Sequence, residues 1–312
     1  MKATAKTRCP YCSHRLDGGK RRPSREHPLS ETLGSSWNRW ETCDACNREL
    51  GKLVDQPFAD KLWVREQRHF HQIRDARGRL PGPPELLGEL EDGTPVRVIM
   101  HRGGWYPKML PTVEDLGNKQ VRIRVDADDA DPHAVLARKR ARLEKQLGKP
   151  IEDLSVDDQT VNNPRVTVRG VEDTFLWPQM GAKVALSAAH ELLGDDWLDT
   201  PHARWLQDVL WRRPTKPSAP FAPLAPTAEV LSPNAYHGLF RPPEHVVMVL
   251  NGQHGAAVQL VLFGRNRYLV PVGTSVDIPT VWWIDPLSRR HERLPFGEFG
   301  AKLVTRQQQL AA

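Results

Sequence analysis

Cys9-Pro10-Tyr11-Cys12 and Cys43-Asp44-Ala45-Cys46-Asn47 decide how this chain is read. They hold all four cysteines of the 312-residue protein, as two CxxC pairs. A two-residue spacer lets both thiolates of a knuckle reach one ion at about 2.3 Å, and two knuckles complete a tetrahedron. Four soft thiolates favour zinc over hard cations. A site closed by four sulfurs keeps no open position, so its expected role is structural. No cysteine is left over, which fits a reducing compartment better than a disulfide framework. Chemistry must then come from what the knuckles tie together: Arg25-Glu26-His27, Ser36-Trp37-Asn38 and Asn47.

Glu26 and His27 are adjacent, so on a strand they point to opposite faces. Pro28 holds His27 to extended backbone. A neutral imidazole near pH 7 can take a proton from water. Asn47, directly after Cys46, is expected to open a short helix, Asn47–Val54. Its amide can act there as a cap or as an oxygen ligand for a hard cation. Asn38 reads as a turn residue. Lys20, Arg21, Arg22 and Arg25 form a basic loop, without an acidic residue, that leads into Glu26-His27 and suits phosphate contact.

Taken together, Cys9, Cys12, Glu26, His27, Leu33-Gly34, Asn38, Cys43, Cys46, Asn47, Gly51 and Asp55 resemble the HNH endonucleases with their ββα-metal active site. The similarity is to the bacterial branch with an EH pair between two CxxC knuckles, and it spans roughly residues 8–56. The resemblance implies that His27 is the general base and that Glu26 is a ligand of a catalytic divalent cation, or its support. It further implies that Asn38 braces the loop between the strands and that Asn47 supplies a ligand, with Mg²⁺ as the expected ion. The implied activity is hydrolysis of DNA phosphodiesters. A nuclease acting on RNA and a nucleic-acid-binding zinc module without cleavage are the alternatives. Two positions depart from the common pattern: Glu26 stands where many members carry Asp, and Pro28-Leu29-Ser30 follows the histidine.

The remaining chain is read from composition and periodicity. Hydrophobic content is 39 %, mean hydropathy −0.54 and formal net charge +6, which suits a polyanionic partner. No apolar run is long enough to span a membrane, and Met1 to Lys6 has no secretory apolar core, so no membrane partner and a cytoplasmic location are expected. The expected fold class is α+β: a zinc-stapled ββα-metal domain, then an α/β body ending in a mainly antiparallel sheet. The expected boundaries are 1–77, 85–212, a proline-rich linker over 213–243, and 244–312. Prolines at 214, 217, 220, 223 and 226 recur every third residue, as on one edge of a polyproline II spacer.

A helix from Asp55 through Arg74 is expected to carry Ala59, Leu62, Trp63, Phe70 and Ile73 on its inner face, with Asp55 as its cap. Strands are expected at 96–100, 121–125 and 166–169, and helices at 132–146, 178–192 and 201–210. Arg122 and Arg124 alternate with apolar residues, as do Arg165 and Arg169. If these two strands shared a sheet, the four guanidiniums would make one phosphate-tracking face. Pairing with the acidic run Asp126, Asp128, Asp129 and Asp131 is the competing expectation. In the C-terminal block, Val246–Leu250, Val258–Phe263, Tyr268–Val272 and Val281–Ile284 read as antiparallel strands.

Overall fold

The computed structural model describes residues 6–16, 21–101, 104–117, 120–126, 131–148, 150–151, 165–168, 175–212 and 240–311. Lys20, Arg169, Asp128, Asp129 and the proline repeat lie outside them. In chain order, β1 (Pro23–Glu26) pairs antiparallel with β2 (Arg39–Cys43), which runs directly into α1 (Asp44–Leu50). A π-helical turn, Gly51–Asp55, leads to α2 (Gln56–Ala59), and α3 (Leu62–Phe70) follows. Next come β3 (Glu85–Leu90), β4 (Pro95–His101), β5 (Gly104–Met109), β6 (Thr112–Gly117), β7 (Gln120–Arg124), α4 (Pro132–Leu147) and β8 (Val166–Val168). The chain continues with α5 (Leu176–Leu193), α6 (Pro201–Leu210), β9 (His245–Gly252), β10 (Gly255–Leu262), β11 (Asn266–Pro271), β12 (Thr280–Asp285), β13 (Arg290–Pro295) and α7 (Phe296–Ala311). All paired strands are antiparallel.

Two compact units result, and their boundaries differ from those expected. One joins Met1–Gly82 with Asp173–Ala312; the other is Pro83–Glu172. The helices expected beside the middle strands, α5 and α6, therefore belong with the cysteine knuckles, and so does the C-terminal sheet. The cause lies in α5, which is buried on nearly every face from Leu176 to His190. A helix apolar all round needs cover on all sides, and one small zinc domain cannot supply it.

The C-terminal sheet has the order β11-β10-β9-β12-β13. Its residues alternate between two faces. Val247, Val249, Val258, Leu260, Leu262 and Trp282 enter the main core with Leu33, Trp37, Leu50 and α5. Val246, Met248, Val261 and Val281 form a second cluster with Phe299 and Leu303 of α7. The four expected strands are present; β13 and α7 were not anticipated, because Arg290 to Leu294 carries too few apolar residues to signal a strand.

The loop between β1 and β2 docks on this sheet. Trp37 stacks on Trp282 with ring centroids 5.0 Å apart. Gly34, at φ +86°, sits so close to Pro286 that an added Cβ would lie 2.4 Å from its Cβ, so only glycine fits. His245 is fully buried. Its Nε2 bonds the Leu33 carbonyl at 3.0 Å, and the Phe263 amide donates to its Nδ1 at 3.1 Å, which sets one neutral tautomer.

The expected continuous helix from Asp55 to Arg74 is broken. Asp60 ends α2 and Lys61 is extended at φ −55°, ψ 138°. The break changes the phase of the stripe: Val64, Gln67 and Arg68 turn inward, while Leu62 and Phe70 are exposed. In the second unit, β7 pairs with β6, whereas β8 pairs with β3 in the separate sheet β5-β4-β3-β8. The shared sheet on which the four-arginine face was expected does not form.

Burial holds the His245 pKa down to about 4. The unfolded state, with a histidine pKa of about 6.5, binds the extra proton first as pH falls. Its contribution to stability is thus complete above about pH 6.5 and is lost towards about pH 4, by up to about 1.4 kcal/mol per pH unit. An NMR titration should find the His245 ring resonances constant from pH 8 to about 5; a midpoint near the ordinary histidine value would contradict the neutral, doubly bonded ring.

Candidate active site beside the cysteine cluster

The Sγ atoms of Cys9, Cys12, Cys43 and Cys46 all lie within 4.8 Å of one another, and those of Cys12 and Cys43 are 3.9 Å apart. Sulfurs held tetrahedrally at about 2.3 Å from zinc are about 3.8 Å from each other, so number, chemistry and spacing fit that ion. The first knuckle turns at Ser13, φ +58°, whose amide donates to the Cys9 carbonyl at 2.8 Å. The second opens α1, where Cys43 Sγ accepts from the Cys46 amide at 3.4 Å. Arg21 Nη1 lies 3.2 Å from Cys12 Sγ. Four thiolates around a divalent ion keep a double negative charge, which this guanidinium offsets. Arg21 was expected on phosphate and instead turns to the sulfurs.

β1 carries the chain to Glu26, and His27 follows directly after it. Glu26 is buried, and its Oε1 lies 2.7 Å from Lys183 Nζ. Lys183, on α5 and without solvent exposure, also donates to Asp55 Oδ1 and Oδ2 at 2.7 and 2.8 Å and to the main-chain carbonyl of His27 at 2.9 Å. Asp55 and the His27 carbonyl accept its hydrogen bonds, and Glu26 faces it as a charge. Burial works against the charge on Lys183, but Asp55 and Glu26 outweigh it and raise its pKa. Burial also pushes the Glu26 carboxyl up to about 7, with Lys183 pulling it down and Asp55 adding to the rise. Two carboxylates on one ammonium leave one negative charge in excess, and the low dielectric resists it.

Glu26 is closed off from water, and neither of its carboxylate oxygens has a hydrogen-bond partner. A magnesium ion keeps several waters, so this enclosed carboxylate does not fit that ion as a ligand. Among the described residues, the cysteines are the sole cluster of three or more His, Cys, Asp or Glu with converging ligand atoms. Asp55, expected as a helix cap, has helical backbone and no capping bond, because its carboxylate is taken by Lys183.

His27 presents 14 % of its side chain to solvent. Its Nδ1 is 3.8 Å from Glu31 Oε2, and its Nε2 is 3.5 Å from Arg25 Nη2. Burial lowers its pKa to about 4, Glu31 opposing and Arg25 assisting. The ring is therefore neutral at pH 7. Asn47 does not open its helix, which begins three residues earlier; its Nδ2 donates to Ser24 Oγ at 3.0 Å and to the Arg25 carbonyl at 2.7 Å, tying α1 to β1. Asn38 Nδ2 donates to the Ser36 carbonyl at 3.0 Å, a brace within its own loop. Arg22 and Arg25 are exposed. In the second unit, Arg122 meets Glu114 at 3.3 Å, Arg124 meets Asp92 at 3.2 Å and Arg165 meets Glu91 at 3.7 Å. These carboxylates are not members of the expected acidic run, of which Asp128 and Asp129 lie outside the described residues.

Lys183 was missed as a site residue because Ala182-Lys183-Val184-Ala185-Leu186 reads as plain helix packing. One signal was present: a lone lysine within an apolar run, which must find a partner if the run is buried. No family model, curated protein or solved structure matches the chain. Among the described residues, no helix is long and apolar enough to cross a membrane.

Metal analysis of the purified protein should return one tightly bound zinc per chain, lost in Cys43→Ser together with the folded state, since metal-binding energy is folding energy in such a site. Removing the buried ammonium strands two carboxylates, so Lys183→Met should destabilise by about 3–5 kcal/mol. Chemical denaturation checks this, and Lys183→Met combined with Glu26→Gln should recover part of the loss. A Lys183→Met variant of wild-type stability would show that the bridge is not formed.

Proposed function

We propose that the protein hydrolyses nucleic-acid phosphodiesters, DNA first, with His27 as general base, and that zinc fills the four-cysteine site to hold the ββα unit in register. The observation that supports this best is His27 itself. Its imidazole is neutral and half-buried, its backbone is pinned by Lys183, and a guanidinium stands beside Nε2. With the proton on Nδ1 towards Glu31, Nε2 carries the lone pair. Nε2 takes a proton from water as the water oxygen bonds to phosphorus and the bond from phosphorus to the 3′ oxygen breaks, the leaving oxygen taking its proton from solvent. Arg25, exposed next to Nε2, binds a phosphate oxygen and balances charge. The negative phosphate raises the histidine pKa from its low resting value towards the range where a general base works best. Glu26 acts through Lys183 as support.

The second reading, a nucleic-acid-binding zinc module without cleavage, is favoured by one observation: the carboxylate that the HNH resemblance gives to the catalytic cation is spent on Lys183. Supercoiled plasmid and a parallel RNA substrate, each with and without EDTA and with zinc content followed, separate the readings. His27→Ala should lower cleavage by about 10²–10⁴-fold with nucleic-acid binding and zinc content retained. Equal cleavage by mutant and wild type would remove His27 as the base, and no cleavage by either would leave the binding module.

A further inference from the structure

We propose that Arg289, in the turn between β12 and β13, is a positioning residue for the base: it holds Glu31 so that this carboxylate keeps the His27 proton on Nδ1 and leaves the lone pair on Nε2. The proposal deepens the nuclease reading and rests on it for the effect on rate; the effect on the imidazole stands without it. Arg289 Nη2 lies 2.9 Å from Glu31 Oε1, and the other oxygen of the same carboxylate, Oε2, faces His27 Nδ1 at 3.8 Å. A guanidinium only donates and a carboxylate only accepts, so this order of groups places hydrogen on Nδ1. Arg25 sets the same tautomer from the other side of the ring. Its Nη2 stands 3.5 Å from Nε2, and a group that only donates needs a lone pair there.

Both residues are placed by their own loops. Glu31 opens a 3₁₀ turn, Glu31–Leu33, whose N-cap Ser30 accepts the Thr32 amide at 3.3 Å. At its end Gly34 donates to the Glu31 carbonyl at 2.9 Å. Gly34 is wedged on Pro286, in the same turn as Arg289, so the turn that seats this loop also reaches its carboxylate. Within that turn Asp285 Oδ1 accepts the Leu287 and Ser288 amides at 2.9 and 3.4 Å, and Ser288 Oγ donates to Oδ2 at 2.7 Å. Arg289 follows at φ +53°, a left-handed conformation uncommon for a residue other than glycine. Its Nη1 also donates to the Asp75 carbonyl at 3.3 Å, which holds the guanidinium at two points. The 3.8 Å between Oε2 and Nδ1 is longer than a hydrogen bond. Contacts that serve a base are often long before substrate binds and tighten in the complex. With the proton on Nε2 instead, that nitrogen could not accept one from water, so the tautomer decides whether it can act as the base.

The test reads the imidazole and the rate separately, on the full chain with zinc content followed. Nitrogen-15 NMR of the histidine side chains at pH 7, with His27→Ala to assign the signal, should show His27 as the Nδ1–H tautomer without substrate. In Glu31→Gln, Arg289 keeps the amide oxygen and the amide NH₂ turns to Nδ1, so the signal should move towards the Nε2–H tautomer. In Arg289→Ala it should become a mixture of the two, and Arg289→Lys should restore part of the wild-type shift. Arg290→Gln, next in the chain, is the control and should leave the spectrum unchanged. On plasmid, Glu31→Gln and Arg289→Ala should each lower kcat by about 10²-fold with KM unchanged. An Nε2–H tautomer in the wild type, or a tautomer unmoved in both variants, would overturn the proposal, as would an equal shift in Arg290→Gln. Wild-type kcat in Glu31→Gln with a shifted tautomer would also overturn it. If the tautomer behaves as stated but the wild type does not cut, the nuclease reading alone fails.

Discussion

One ammonium joins the parts of this molecule that would otherwise be independent. Lys183 Nζ reaches Glu26 and the His27 carbonyl at the end of β1, and Asp55 at the end of the π-helical turn. These segments lie far apart in sequence, and each alone is short. A buried charge triad is weak support for stability in itself, because desolvation consumes most of its attraction. Its stronger effect is on geometry. The bonds to Asp55 and to the His27 carbonyl hold the ammonium, so the main chain at His27 is tied to α5.

The rest of the packing supports that placement. The four cysteines tie the N-terminal turn to the end of β2 and to α1, but a cluster of sulfurs holds only the residues close to it. The loop after His27 is secured by the C-terminal sheet instead. Gly34 passes against Pro286, His245 takes the Leu33 carbonyl, and Trp37 stacks on Trp282. Knuckles, central helix and sheet therefore share one core.

In the second unit arginines meet carboxylates across short distances. Those on β7 and before β8 do so, and so do Arg97 on β4, 3.5 Å from Glu85, and Arg140 on α4, 2.9 Å from Glu144. A net charge of +6 does not show this pairing, because composition counts charges and not their neighbours.

Some features were legible in the sequence because they depend on neighbours along the chain. The CxxC spacing determined which sulfurs converge. Thr200-Pro201 and Asp131-Pro132 marked the starts of α6 and α4, and period-two runs marked the strands of the C-terminal sheet. Adjacency of Glu26 and His27 on a strand already required that they face opposite ways. Tertiary structure alone decided the rest. That Glu26 and Asp55 close on Lys183, that β7 and β8 lie in different sheets, and that the helices after residue 175 pack with the knuckles are all long-range pairings. Local pattern shows that an apolar face or a charge must be matched, because an unmatched one is costly. It does not name the partner, since every partner of suitable chemistry satisfies the same local rule until the whole chain has packed.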